Sequence, residues 1–351
     1  MNFTFTDEQK MLAEVVRKLM DDRCPPPALR SLMDAGTVHD KGRWAAIVET
    51  GLVPVLVPAE QDGLGLAEID FAIVAEAAGH SALPEPLVEH AGIALPLLAA
   101  AAPGHALLSA AMAGEVTVAI GHPVNPLVAD ADTAAALLLV HDGAIHLVER
   151  DAVRLIRKPS IDPFRRLFSV EWAPSPATRL ATAATAGPLL ADALDRGALF
   201  AAAQCLGIAQ RCVDLAVDYA KERTQFGKPI GSTQAVKHLL ANVQVKIEFA
   251  RPVLHSAAAR LAARDVRSRA VVSHAKLVAA EAADLGARTA IQVHGAMGYS
   301  WEVDVHFFLK RALALTYAWG DPAFHTARVE QRVLNHPLGP DQTFLNETDH
   351  A

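Results

Sequence analysis

The segment Tyr219-Ala-Lys-Glu-Arg-Thr-Gln-Phe-Gly-Lys-Pro-Ile-Gly-Ser-Thr-Gln234 carries the most chemically capable side chains of the chain. Arg223 offers a planar fork of donors that suits a pyrophosphate. Phe226 adds a ring face for a heteroaromatic, and Gln234 adds both a donor and an acceptor. The same residues also read as an ordinary helix end, a Gly-Lys-Pro turn and a new helix starting near Ser232. A second segment, Gln292-Val-His-Gly-Ala-Met-Gly-Tyr299, holds glycines three residues apart. Such glycines let backbone approach a ligand and turn amides toward phosphate oxygens. No strand precedes this segment, so it is not the dinucleotide fingerprint of a doubly wound fold. Alone it reads equally as a helix C-cap and a turn, and His294 within it as a cofactor contact or a turn histidine.

Other reactive patterns are missing. The 15 histidines include no HxxxH pair and no His/Cys cluster at metal spacing, and there is no G-x-S-x-G elbow or Walker loop. Cys24, Cys205 and Cys212 are too few for a disulfide framework or a Cys-rich zinc site, and they fit core thiols in a reducing cytoplasm. The N-terminus, MNFTFTDEQK, lacks the basic-then-apolar pattern of a signal peptide. With 32 basic and 39 acidic residues the net charge is −7, so no basic field recruits nucleic acid or anionic lipid. Between Ala91 and Gly114 no Asp, Glu, Lys or Arg occurs, but Pro96, Pro103-Gly104 and His105 divide the stretch. Two buried helices are predicted there rather than a membrane span.

These residues need a scaffold, and 351 residues at 52% hydrophobic supply a large core shared by several packed units. Residues 1–112 read as helical, with Thr6-Asp7-Glu8 as a helix start before Gln9–Met20 and another helix from Glu68 to Gly79. From 113 to 185 short β-branched and aliphatic runs take over: 116–120, 135–140, 144–148, 153–156 and 168–172. His141-Asp142-Gly143 reads as a hairpin turn among them. From 186 to 351 the chain is again helical, with long segments at 188–222, 233–264, 268–294 and 322–333 and a polar tail after Asn335.

The two chemical segments, in this order and at this distance, resemble the RxQFG-type and QxxGGxG-type turns of the acyl-CoA dehydrogenase family. Val57-Pro-Ala-Glu-Gln-Asp-Gly-Leu-Gly-Leu66 is similar to the family's VPEEYGGLGL segment, and Ser81-Ala-Leu-Pro-Glu-Pro86 to one common in bacterial members. The resemblance implies a mainly α fold: an N-terminal helical domain, a small middle β domain and a C-terminal four-helix bundle. It implies α,β-dehydrogenation of an acyl-CoA, in which a carboxylate takes the α proton and FAD takes the β hydride. It also implies that Arg223, Gln225, Phe226, Gln234, Gln292, His294, Gly295 and Ala296 hold the ADP half of an FAD whose ring rests on a neighbouring subunit.

Two departures stand out. Where the family has a T-E-P-x-x-G-S-D-type strand and turn beneath the flavin, this chain reads Val118-Ala-Ile-Gly-His-Pro-Val-Asn-Pro126. The hydroxyl and the glycine-serine amides are gone, so this half of the site has decayed. The base is gone too, with Trp319 at one family position and Gly197 at the other. Asp321 and Asp195 are the only carboxylates nearby, each two positions away, and on a helix that spacing turns a side chain to another face. The pattern resembles the smaller subunit of α2β2 enzymes that shorten steroid side chains, with a larger partner supplying flavin platform and base and an electron-transferring flavoprotein as acceptor. Two other readings stay open. One is a self-sufficient homo-oligomer using Asp321 or Asp195, the other a non-catalytic scaffold of the same fold.

Overall fold

The computed structural model describes residues 4–263 and 268–335; the polar tail after Asn335 lies outside them. Thr6 opens the first helix with a capping box: its hydroxyl accepts the Gln9 N–H at 3.2 Å, and the Gln9 side chain accepts the Thr6 N–H at 3.0 Å. Helix α1 (Asp7–Arg23) stops at the proline run, and Pro26 then starts α2 (Pro26–Asp34), where its missing N–H is no loss. After α3 (Lys41–Glu49) and α4 (Glu68–His80), the apolar stretch runs as α5 (Leu87–Glu89), a π-helical turn (His90–Ala94) and α6 (Leu95–Ala101). It breaks at Pro103-Gly104, with Gly104 at φ 73, and resumes as α7 (Ala106–Met112), so a helix stands on each side as expected, but only the first is buried: α7 hides Leu108 and Ala111 alone.

The middle module begins where the composition changes. One sheet has the order β1-β3-β4-β7, from β1 (Val118–Ile120), β3 (Ala136–His141), β4 (Ala144–Glu149) and β7 (Arg179–Ala181). The other is β2-β6-β5, from β2 (Val128–Ala129), β5 (Arg154–Lys158) and β6 (Leu167–Glu171). β1 runs parallel to β3 and the other pairs are antiparallel. In the β3–β4 hairpin His141 faces Ala144, and Asp142 and Gly143 both take the left-handed conformation that a two-residue hairpin loop demands. Side chains of β3 alternate: Leu137 and Leu139 fill the space between the sheets, while Leu138 joins the core shared with the helices.

The C-terminal region holds α8 (Ala183–Glu222), the ribbon β8 (Thr224–Gln225) and β9 (Lys228–Pro229), α9 (Gln234–Ala262), α10 (Ser268–His294), α11 (Val305–Tyr317) and α12 (Pro322–Asn335). α10 packs against all four other long helices. Two expectations need correction. Helix α8 starts at Ala183 rather than Pro188, so Pro188 lies inside its second turn and leaves the Ala184 carbonyl without its helical N–H partner. The helix expected at 322–333 is present as α12, but α11 before it was not expected: its Lys310-Arg311 pair hides the apolar period, although Arg311 is buried. α8 is apolar and long enough to cross a membrane, yet 72% of its apolar window is packed inside the fold. α4 and α8 touch through Gly79 and Gly207, where an added Cβ would reach within 2.6 Å of the facing backbone.

Candidate cofactor and substrate site

The two chemical segments meet because the ends of α8 and α10 meet. Tyr219 and His294 stack with ring centroids 4.2 Å apart and planes at 22°. Arg223 ends α8, its N–H bonded to the Tyr219 carbonyl at 2.8 Å, and its own carbonyl accepts the Ile230 N–H at 2.9 Å to close the ribbon. At the ribbon tip Phe226 has φ 53 and Gly227 φ 79, which throws the Phe226 ring outward at 99% exposure. Gln225, Gln234, Gln292, Gly295 and Ala296 are exposed as well. Gln234 accepts from His238 Nε2 at 3.2 Å. The side chains of Arg223, Gln225, Phe226 and Gln292 have no hydrogen-bond, ionic or ring partner among the described residues. A free guanidinium, a free amide and a bare ring contribute nothing to this chain's core, and their chemistry fits a pyrophosphate and an aromatic ring. His294 does not belong to this exposed set. Its ring is buried under Tyr219, Nδ1 donates to the Ala290 carbonyl at 2.7 Å, and burial lowers its pKa; it braces the segments instead.

The platform half is different. The Gly121 N–H is bound by the Leu138 carbonyl at 2.8 Å, the Asn125 N–H by the His122 carbonyl at 2.8 Å, and the Val124 N–H by His122 Nδ1 at 3.2 Å. His122 Nε2 donates to the Leu190 carbonyl at 3.1 Å, and burial lowers the pKa of its ring. These amides, which would have to face a flavin, are already used within the fold. The cleft between Asn125, Leu127, Arg165, Ala314, Tyr317 and Trp319 measures about 170 Å³, while small-molecule sites commonly span about 300–1,000 Å³. The exposed side chains therefore have the chemistry for the ADP half of an FAD, while the cleft beside Asn125 is smaller than common ligand sites.

Trp319 and Gly197 turn out to be neighbours. A Cβ added to Gly197 would lie 2.6 Å from Trp319 Cγ and closer still to the rest of the indole, which is 3% exposed. Neither residue can take a proton, and the nearby carboxylates are engaged elsewhere. Asp195 is 2% exposed; its Oδ1 accepts from Arg328 Nη2 at 2.7 Å, and its Oδ2 lies 3.6 Å from Arg269 Nε. Burial raises its pKa, against the pull of Arg328 and then Arg269. Asp321 accepts the Phe324 N–H at 2.8 Å and so caps α12. Neither faces the cleft lining. The sequence alone gave no sign that Tyr219 stacks on His294 or that Asn125 accepts the Trp319 N–H at 2.8 Å, since each acts across a long chain separation.

Residues 6–103 match the acyl-CoA dehydrogenase N-terminal domain and residues 188–334 the C-terminal domain. The acyl-CoA dehydrogenase IpdE2 of Mycolicibacterium smegmatis is 32% identical over 332 residues, spanning 94% of this chain and 100% of its own. Among solved structures, the ChsE4-ChsE5 complex of Mycobacterium tuberculosis superposes with a TM-score of 0.84 at 23% identity, over 96% of this chain and 100% of the other. A variant of the Tcur3481-Tcur3483 steroid ACAD does so with a TM-score of 0.83 at 21% identity, over 94% and 98%.

Proposed function

The chain belongs to the acyl-CoA dehydrogenase family, and from that premise we propose that it is the clamp-bearing subunit of a hetero-oligomeric enzyme. In this reading Arg223, Gln225, Phe226, Gln234, Gln292 and the backbone at Gly295-Ala296 hold the ADP half of an FAD. A larger partner chain supplies the flavin platform and the catalytic carboxylate, in an α2β2 assembly. Bound FAD supplies the hydride acceptor for α,β-dehydrogenation of an acyl-CoA thioester. This chain's part is to bind and orient: the Arg223 guanidinium neutralises pyrophosphate charge, and Phe226 shields an aromatic face from water. Two structural neighbours are named as two-component complexes and one as a steroid ACAD, which supports a steroid side-chain thioester as substrate and a second gene product as partner. An electron-transferring flavoprotein is the acceptor we expect, in the cytoplasm, where the buried free thiols of Cys24, Cys205 and Cys212 stay reduced.

The observation that carries this reading is the packing of Trp319 on Gly197, which leaves both base positions without a proton acceptor. The self-sufficient homo-oligomer loses its candidates, because Asp195 is held by two arginines and Asp321 by a helix end. A pure scaffold would have no use for the unpartnered clamp. Absorption spectra test the division. The chain purified alone should be colourless, and co-expressed with its partner it should carry half as many FAD as polypeptides. Arg223→Ala should loosen FAD in the complex about tenfold to a hundredfold, the value of a charge-assisted bond of roughly 1.5–3 kcal/mol. Full flavin on the isolated chain would favour the homo-oligomer, and a colourless complex would favour the scaffold.

A further inference from the structure

The turn Ala318-Trp319-Gly320 is held more firmly than a link between two helices requires. Trp319 sits at φ 59, an uncommon backbone conformation for a bulky residue, and Gly320 follows at φ 99. Asn125 Oδ1, from the middle domain, accepts the Trp319 N–H at 2.8 Å. His325, from α12, donates through Nε2 to the Trp319 carbonyl at 2.9 Å, and its Nδ1 meets the Ser273 hydroxyl at 3.0 Å. Lys276, buried on α10, donates to the last carbonyls of α11, Leu315 and Thr316. The His122 ring lies 5.7 Å from the indole, and Gly197 on α8 opens the room the indole fills. Elements from the middle domain and from three helices thus fix the backbone of this turn and its approach, and the indole is turned inward between His122 and Gly197 beside the cleft.

We propose that Trp319 is a built-in plug, its indole filling the space in which an acyl thioester would place its reacting carbons. This rests on the reading above, which assigns the positions of Trp319 and Gly197 to the family's base. Gly197 and Trp319 form a matched hole and peg, and the cleft that remains, about 170 Å³, is smaller than the about 300–1,000 Å³ of common ligand sites. The plug closes this chain's own site from within and leaves the exposed clamp as its part in the shared one.

Excision and refilling test the plug on the full-length chain. Trp319→Gly should bind free indole, and millimolar indole should raise its unfolding midpoint by at least about 2 °C while leaving the wild type unmoved. Butyryl-CoA, assayed by equilibrium dialysis, should bind the variant and not the wild type. Gly197→Ala should lower the midpoint clearly in the wild type and hardly at all beside Trp319→Gly. If Trp319→Gly does not fold, Trp319→Leu serves in the same comparison with Gly197→Ala. A folded variant that binds no indole, or a Gly197→Ala effect equal in both backgrounds, overturns the plug. Uptake of indole without butyryl-CoA overturns the assignment of the space to an acyl group. Flavin content enters none of these measurements, so the plug and the division of labour between subunits fail separately.

Discussion

At the scale of single residues, the two carboxylates near the expected base positions have structural work in the fold. Asp195 is buried against a partly exposed Arg328, and neutralising it leaves that guanidinium without its carboxylate, a cost that reaches about 3–5 kcal/mol only where both charges are fully buried. Asp195→Asn should therefore lower stability in urea titration while the folded complex turns over within a few-fold of wild type. Asp321→Ala should remove a helix cap worth about 0.5–2 kcal/mol, with Asp321→Asn nearly neutral because asparagine caps as well. Turnover that collapses in Asp321→Asn at unchanged stability would restore a catalytic role to this chain. These identities were legible in the sequence, but what Asp195 and Asp321 bind was not. Arg328 lies far along the chain, and only the packing of α12 on the bundle brings it to α8.

At the scale of elements, His90 shows how the helical and β units are joined. It sits on the π-helical turn with no exposure; Nε2 donates to the Ala111 carbonyl of α7 at 3.1 Å, and Nδ1 accepts the Val118 N–H of β1 at 3.1 Å. Burial pushes its pKa down from 6.5 to about 4, so the folded protein keeps it neutral. Below pH 6.5 the unfolded chain binds the extra proton. The contribution is thus complete above that pH and is lost as pH falls toward 4. Between pH 7 and pH 5 this one ring should remove about 2 kcal/mol of stability. His90→Gln, which keeps a donor and an acceptor but does not titrate, should flatten the pH dependence of the urea midpoint by that amount. An unchanged slope would show that other groups set the acid sensitivity. The strands and helices around His90 were readable from periodicity and turn residues. The π-helical turn was not, because a single wide turn leaves the apolar pattern of an Ala-rich stretch unchanged.

At the scale of the whole molecule, Arg311 ties three units together. From α11 it binds the carboxylate of Asp162 in the middle domain and, at 2.9 Å, the carbonyl of Leu83 in the N-terminal domain. Both ionic partners are almost fully buried. Arg311→Ala should leave Asp162 uncompensated, lower stability by about 3–5 kcal/mol, and split a single calorimetric transition into separate steps. A variant that still unfolds in one step at the wild-type midpoint would show that apolar packing alone holds the units together.

The sequence by itself determined the family and the order of helical, β and helical units, and it singled out the two segments that end α8 and α10. Each of these rests on residue type at short spacing: caps, hairpin turns, apolar period, and two motifs read in order. Tertiary structure decided the rest. It turned His294 inward onto Tyr219, added α11 to the C-terminal helices, consumed the amides of Gly121, Val124 and Asn125, and set the Trp319 indole on Gly197. Those outcomes depend on which surfaces meet across long stretches of chain. Close packing fixes such meetings to fractions of an ångström, and no local pattern carries that information.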